Sequence, residues 1–301
     1  MRKLLQFSDI FRKALSNLKD NDPVRMAGAT AFFAFFALPS IIVILNQVLS
    51  LLFNYRHQSV SGHLFDQLAG LFGPQSARQL QDISQHLKPK SNGFLLTIAN
   101  IAVLLLTSTT LFAVLKNSLN QLWNVKTKPD RVVLHNLKDR GIALLIIMGS
   151  GLLFTASVVI GQALSLPEPS PRVHVDTIEA FGKNLAQLIL SIGLLTAWFA
   201  MLLNYLPDIR VRWPAVWVGA FVTSVLFTLG ELVLTRLLTY NQIQSIHGGA
   251  SAITLVLLFV FYSSLIFYYG ASFTRQYAEW ANLDVVPNDH AISYTITDVD
   301  E

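Results

Sequence analysis

The chain predicts an all-α fold: a polytopic membrane protein built as a bundle of six transmembrane helices, with amphipathic interfacial and extracytoplasmic helices. Three observations carry this. Of 301 residues, 52% are hydrophobic and only 13% charged, with mean hydropathy +0.49, whereas a soluble domain is about a quarter charged. Six apolar stretches, 27–53, 94–115, 141–164, 185–206, 213–238 and 250–273, each exceed or approach the roughly 20 residues that cross a hydrocarbon core of about 30 Å as a helix. The basic residues, finally, alternate by loop. The N-terminal tail, the loops after spans two and four and the C-terminal tail hold 15 Lys and Arg, against 6 in the other three loops. Basic loops stay cytoplasmic, so both termini are expected to face the cytoplasm. An even number of spans requires the same.

Residues 1–26 form the first unit, a cytoplasmic amphipathic helix. Leu4, Phe7, Phe11, Ala14, Leu15 and Leu18 recur at helical spacing among basic residues. Such a helix either lies in the interface, with Arg12, Lys13 and Lys19 against anionic lipid, or packs on other cytoplasmic elements. It is not read as a cleavable signal, because the apolar run after it is too long for an h-region.

The transmembrane domain, 27–280, follows. Span one contains Pro39, a candidate hinge, because proline removes a backbone donor and crowds the preceding turn. The loop 54–93 reads as two short amphipathic helices separated by Gly73-Pro74. Span two carries Thr107-Ser108-Thr109-Thr110, small hydroxyl residues suited to close helix packing. Span three is glycine-rich and ends in a stiff, proline-rich connection at 166–171. Gly219, Ala220 and Thr223 open span five at a spacing that favours tight helix contacts, within the chain or in a homo-oligomer. Residues 281–301 are polar and acidic and are expected to form a mobile cytoplasmic tail.

Five spans lack Asp, Glu, Lys and Arg, while the fifth carries Glu231 and Arg236. An ionisable residue in lipid marks a candidate site. Counted from Trp213 at 1.5 Å per residue, Glu231 lies about 27 Å along the helix, in the outer leaflet. Asn46, Gln47 and Gln187 fall at similar depths, so these five residues define a candidate polar cavity open to the outside. The bland alternative is that Glu231 braces the outer end of the bundle.

Other chemistries find little support. The chain has no cysteine, which removes disulfides and thiolate metal sites. The seven histidines show no paired metal spacing, and no Walker loop, GxSxG or dinucleotide fingerprint occurs. No cofactor and no catalytic residue is expected. The net charge of +4 follows from topology and does not call for nucleic acid.

Several segments resemble the YihY/virulence factor BrkB family. The run from Met26 to Pro39 looks like its first span, rich in small and aromatic residues. Leu119-Asn120-Gln121-Leu122-Trp123 is similar to its element after span two, and Leu206-Pro207-Asp208-Ile209-Arg210-Val211 to its loop before the span containing Gly219. Tyr240, Gly248-Gly249, Phe261-Tyr262 and Gly270-Ala271 resemble its closing region, where Phe261 stands in place of a frequent Trp. The resemblance covers about residues 15–280 and implies a six-helix bacterial membrane protein. Relatives once carried a ribonuclease label, which fits poorly here because no cluster of acidic or histidine ligands suits a metal-dependent nuclease. The expected function is transport or translocation of a lipid or small amphiphile. A non-enzymatic scaffold or envelope-maintenance partner is the alternative, and a hydrolase or nuclease the weakest reading.

Overall fold

The computed structural model describes residues 2–53, 78, 81–82, 94–128, 140–150, 152–153, 177–240 and 248–295. The helices are α1 (Arg2–Lys19), α2 (Pro23–Phe53), α3 (Phe94–Leu122), α4 (Arg140–Ser150), α5 (Thr177–Tyr205), α6 (Trp213–Tyr240) and α7 (Gly248–Trp280). Four short strands, β1 (Val125–Thr127), β2 (Ile209–Val211), β3 (Val285–Pro287) and β4 (Ala291–Ser293), complete the described elements. Four helical segments are long and apolar enough to cross a membrane: Pro23–Val43, Leu188–Tyr205, Trp213–Val233 and Ile253–Trp280. The expected second span lies within α3. The third begins as α4, and half of it lies outside the described residues. So do the proline-rich connection and the two helices expected in 54–93, apart from residues 78 and 81–82, which are helical.

Burial explains why these helices suit lipid. On α4, Ala143, Ile146 and Ile147 face inward at helical spacing, while Leu145 and Met148 are exposed. Leu188 and Ile189 on α5, Phe221, Leu229, Leu232 and Val233 on α6, and Leu258 on α7 are also exposed. Large apolar side chains spread over several outward faces are unfavourable in water but match hydrocarbon.

The bundle is held by close backbone approach and by hydroxyl pairs. On α6 and α7 the same pattern, Gly-x-x-x-Thr, occurs at Gly219/Thr223 and Gly270/Thr274. The two motifs interlock. A Cβ on Gly219 would overlap Thr274 Oγ1, and a Cβ on Gly270 would overlap Thr223 Oγ1. Each threonine donates to its own glycine's carbonyl, 2.7 Å away in both cases, so the polar hydrogens are satisfied inside the contact. Thr196 of α5 and Ser224 of α6 form a hydroxyl pair at 2.7 Å. Thr30 of α2 and Tyr268 of α7 form another at 2.5 Å. Trp198 Nε1 of α5 donates to Ser150 Oγ of α4 at 2.8 Å. α2 continues as helix through Pro39, whose side chain is buried.

The amphipathic α1 packs on protein. Ile10, Ala14 and Leu18 are buried, Phe11 meets Phe273 with ring centroids 4.8 Å apart, and Asn17 Nδ2 donates to Ser272 Oγ at 2.8 Å. Arg12, Lys13 and Lys19 remain exposed on its other side.

The C-terminal segment departs from the expected mobile tail. Residues 281–295 fold back over the end of the bundle, and 296–301 lie outside the described residues. β4 pairs antiparallel with β1, which follows α3, and β3 pairs antiparallel with β2, which follows α5. Asn282 has φ 52°, and Leu283 N bonds back to Ala278 O at 2.9 Å, a C-cap that turns the chain off α7. The acidic composition hid this because the pairing uses backbone groups of distant loops, which local propensity does not register.

Gly270→Ala is expected to lower the stability of the detergent-solubilised protein by about 1–3 kcal/mol, the range for overpacking a filled contact. Adding Thr223→Ala should recover part of the loss, because it removes Oγ1 and Cγ2, two of the three atoms the new methyl meets. Thermal unfolding of the single and double variants checks this.

Candidate functional site

The loops, strands and helix ends described above gather at one end of the bundle, and Asp208 sits at their centre. It follows α5 in Leu206-Pro207-Asp208, and its side chain is 4% exposed. A buried carboxylate needs compensation. Lys116 of α3, 8% exposed, places Nζ 2.9 Å from Oδ1. Asn120, one turn further along α3, makes a two-point contact: its Nδ2 donates to Oδ2 at 2.9 Å and its Oδ1 accepts from the Asp208 backbone N–H at 2.8 Å. Those two bonds fix which way the amide points. Thr127 Oγ1 of β1 donates to Oδ2 at 3.2 Å.

The turn between β3 and β4 closes the knot. His290 Nε2 lies 3.0 Å from Oδ1. An ionised carboxylate only accepts, so the imidazole donates from that nitrogen. Asn288 N donates to the Asp208 carbonyl at 2.9 Å. Burial by itself would raise the Asp208 carboxyl. The hydrogen bond and charge of Lys116, with the hydrogen bonds from His290 and Asn120, outweigh it and lower the pKa from 3.8 to about 2.

Two cavities flank α3 beside this knot. One, about 300 Å³, lies between α3 and α4 and is lined by Thr109, Thr110, Phe112, Ala113, Lys116, Arg140, Ile142 and Leu206. Thr109, Phe112, Ala113 and Lys116 recur at i, i+3, i+4 and i+7, so a single face of α3 forms its wall. Arg140 Nη1 donates to Thr109 Oγ1 at 2.8 Å, which brings the guanidinium about 10 Å along α3 from Lys116 by helix rise. The other cavity, about 680 Å³, is lined by Asn120 itself together with residues that include Asn21, Asn117, Gln121, Lys126, Thr127 and Tyr294.

The residues singled out from sequence are placed differently. Glu231 is half-buried on α6. Its neighbour Gly230 packs against Tyr262 and Ile266 of α7, and Glu231 is near enough to Tyr262 to interact electrostatically. Arg236 is exposed. Among the described residues the two form no ion pair, and neither lines either cavity described above. The side chains of Asn46, Gln47 and Gln187 lie outside the described residues. No group of three or more His, Asp or Glu placed to hold a metal ion occurs among the described residues.

Asp208, Lys116, Asn120 and His290 were not singled out from sequence. A signal existed. Leu119-Asn120-Gln121-Leu122-Trp123 and Leu206-Pro207-Asp208 carry the family resemblance, and the structure shows that their polar residues bind each other.

Asp208 has a folded pKa below its unfolded one, so its contribution to stability is present above about pH 4 and is lost as pH falls toward 2. That contribution is about 2 kcal/mol by linkage. Unfolding of the wild type should weaken across this window, and Asp208→Asn should flatten the dependence. The same substitution leaves Lys116 buried without its counter-charge, and a loss of about 3–5 kcal/mol at neutral pH is expected.

Comparison with known proteins completes the picture. The chain is similar to a UPF0761 membrane protein of Mannheimia succiniciproducens, 20% identical over 91% of this chain and 92% of the relative. It is also similar to one of Tolumonas auensis, 22% identical over 87% of this chain and 82% of the relative. A third, from Chromohalobacter salexigens, is 23% identical over 89% of this chain and 64% of a longer relative. No solved structure matches the chain significantly. The virulence factor BrkB family model matches residues 14–291, a range that contains the partners of Asp208 named above, and the chain belongs to that family of integral membrane proteins.

Proposed function

We propose that this membrane protein moves an amphiphile, a lipid or a small amphiphilic molecule, across the bacterial inner membrane without chemical turnover. In this reading six helices span the membrane, both termini face the cytoplasm, and the Asp208 knot lies on the cytoplasmic side. The observation that carries it is the cavity between α3 and α4. Its wall combines apolar Phe112, Ile142 and Leu206 with the hydroxyls of Thr109 and Thr110 and the cations of Lys116 and Arg140. An amphiphile needs both kinds of surface side by side. The exposed Arg12, Lys13 and Lys19 of α1 would hold the same face against anionic lipid, each contributing about 1 kcal/mol near a charged surface.

A scaffold or envelope-maintenance role is the second reading. It is favoured by the exposure of Trp280, Val286 and Ile292 on the strand-bearing end, where apolar side chains suit a protein partner.

Two measurements test the proposal. The chain contains no cysteine, so single introduced cysteines report topology cleanly. Ser293→Cys should react with an impermeant maleimide only from the cytoplasmic side, and Ser59→Cys only from the opposite side. Labelling of both from one side would sink the six-span arrangement. Purified protein in liposomes should accelerate exchange of fluorescent lipid between leaflets over protein-free vesicles. Absence of exchange for lipids and for small amphiphiles alike would discard transport and leave the scaffold reading.

A further inference from the structure

We propose that the α3–α4 cavity binds a phosphate-bearing anion, with Arg140 and Lys116 supplying its positive charge and Thr109 acting as the positioning residue for Arg140. The inference rests on the transport reading and narrows its substrate class.

Charge is the first argument. Among the described residues, the cavity wall contains two cations and no carboxylate. Lys116 is compensated by Asp208 at 2.9 Å, whereas Arg140 forms no ion pair among the described residues. Counted over the described residues, the α3–α4 cavity therefore carries one positive charge without a carboxylate partner beside a second, fixed one. Position is the second argument. A guanidinium at the edge of an apolar span lowers its energy by reaching for water or for an anionic headgroup. Arg140 instead donates inward to Thr109 Oγ1 at 2.8 Å, which holds the planar fork at the cavity wall. Only one of its five N–H donors is used in that bond. The rest suit two-point contact with phosphate oxygens, for which arginine is the best-matched side chain.

Shape is the third argument. The anion would meet Arg140 and Lys116 along a single face of α3, while Phe112, Ile142 and Leu206 offer an apolar surface beside it. A phosphate attached to an acyl or other apolar group fills both parts. A free phosphate fills only the polar one. Lys116 would then bridge the anion and Asp208, so occupancy of the cavity would be felt at the knot that holds the C-terminal strands.

The experiment uses the purified full chain in neutral detergent and reads binding by thermal shift and titration. Three probes are compared: dioctanoyl-phosphatidylglycerol, dioctanoylglycerol and inorganic phosphate. The phosphatidylglycerol should raise Tm and dioctanoylglycerol should not. Arg140→Gln should weaken binding about tenfold, the loss of one charge-assisted contact, while Arg140→Lys should lose less. Thr109→Val should weaken binding without removing any charge, and Arg236→Gln, at a distant cation, should have no effect. Equal binding of inorganic phosphate would assign the site to a free anion and overturn the lipid source. Phosphatidylglycerol binding that Arg140→Gln and Thr109→Val leave unchanged would overturn the site itself. Arg140-dependent binding without lipid exchange in liposomes would keep this inference and remove the transport reading.

Discussion

A carboxylate with 4% of its side chain exposed must be neutralised and hydrogen-bonded, and in this molecule that requirement organises one whole end of the bundle. Asp208 follows α5. Its cation and its amide partner come from α3, its hydroxyl partner from β1, and its imidazole from the turn between β3 and β4. No single helix could supply that set. The helices must therefore end where they do, and the C-terminal segment must return across them. Left-handed residues at Asp22, Asn124 and Asn282 make the three turns out of α1, α3 and α7. Asp and Asn tolerate that conformation better than most residues other than glycine.

The membrane-embedded part obeys a different constraint. Lipid gives helices no hydrophobic reason to associate, so contact depends on packing and on hydroxyls that bond locally. The interlocked Gly219/Thr223 and Gly270/Thr274 motifs meet that need between α6 and α7. Arg275, near the end of α7, donates to the Leu122 carbonyl at 2.7 Å. It sets a cation at the C-terminus of α3, where the helix dipole favours one. The bundle is thus joined by apolar contact at depth and by ionic contact at one end. Lys116 belongs to both the ionic knot and the wall of the smaller cavity.

Much of the fold could be read directly. Apolar run length marks helices, and the described helices include long segments in five of the six expected stretches. The amphipathic spacing of α1 matched its packing in part: Ala14 and Leu18 face inward together with Ile10, which the spacing did not mark, whereas Leu15 is exposed. The site was less legible. A charge inside an apolar run stands out, which is why Glu231 drew attention. Run length says nothing about which face that charge occupies, and the structure leaves it half-buried, next to the Gly230 contact with α7. Asp208 sat in a short polar loop, where an acidic residue attracts no notice. The tail looked like a solvated acidic segment because strand pairing between distant backbones leaves no local pattern.

The sequence by itself determined that this is a helical membrane protein with an uneven distribution of basic loops, because hydrophobicity and charge act locally and add along the chain. It also determined the short motifs that tie the chain to its family. Only the tertiary structure decided that two of those motifs form a single ionic site. The Asp208 carboxylate is built from partners 88 residues earlier, at Asn120, and 82 residues later, at His290. Electrostatic compensation depends on distance in space, and that distance exists only once the helices have packed and the C-terminal strands have closed over their ends.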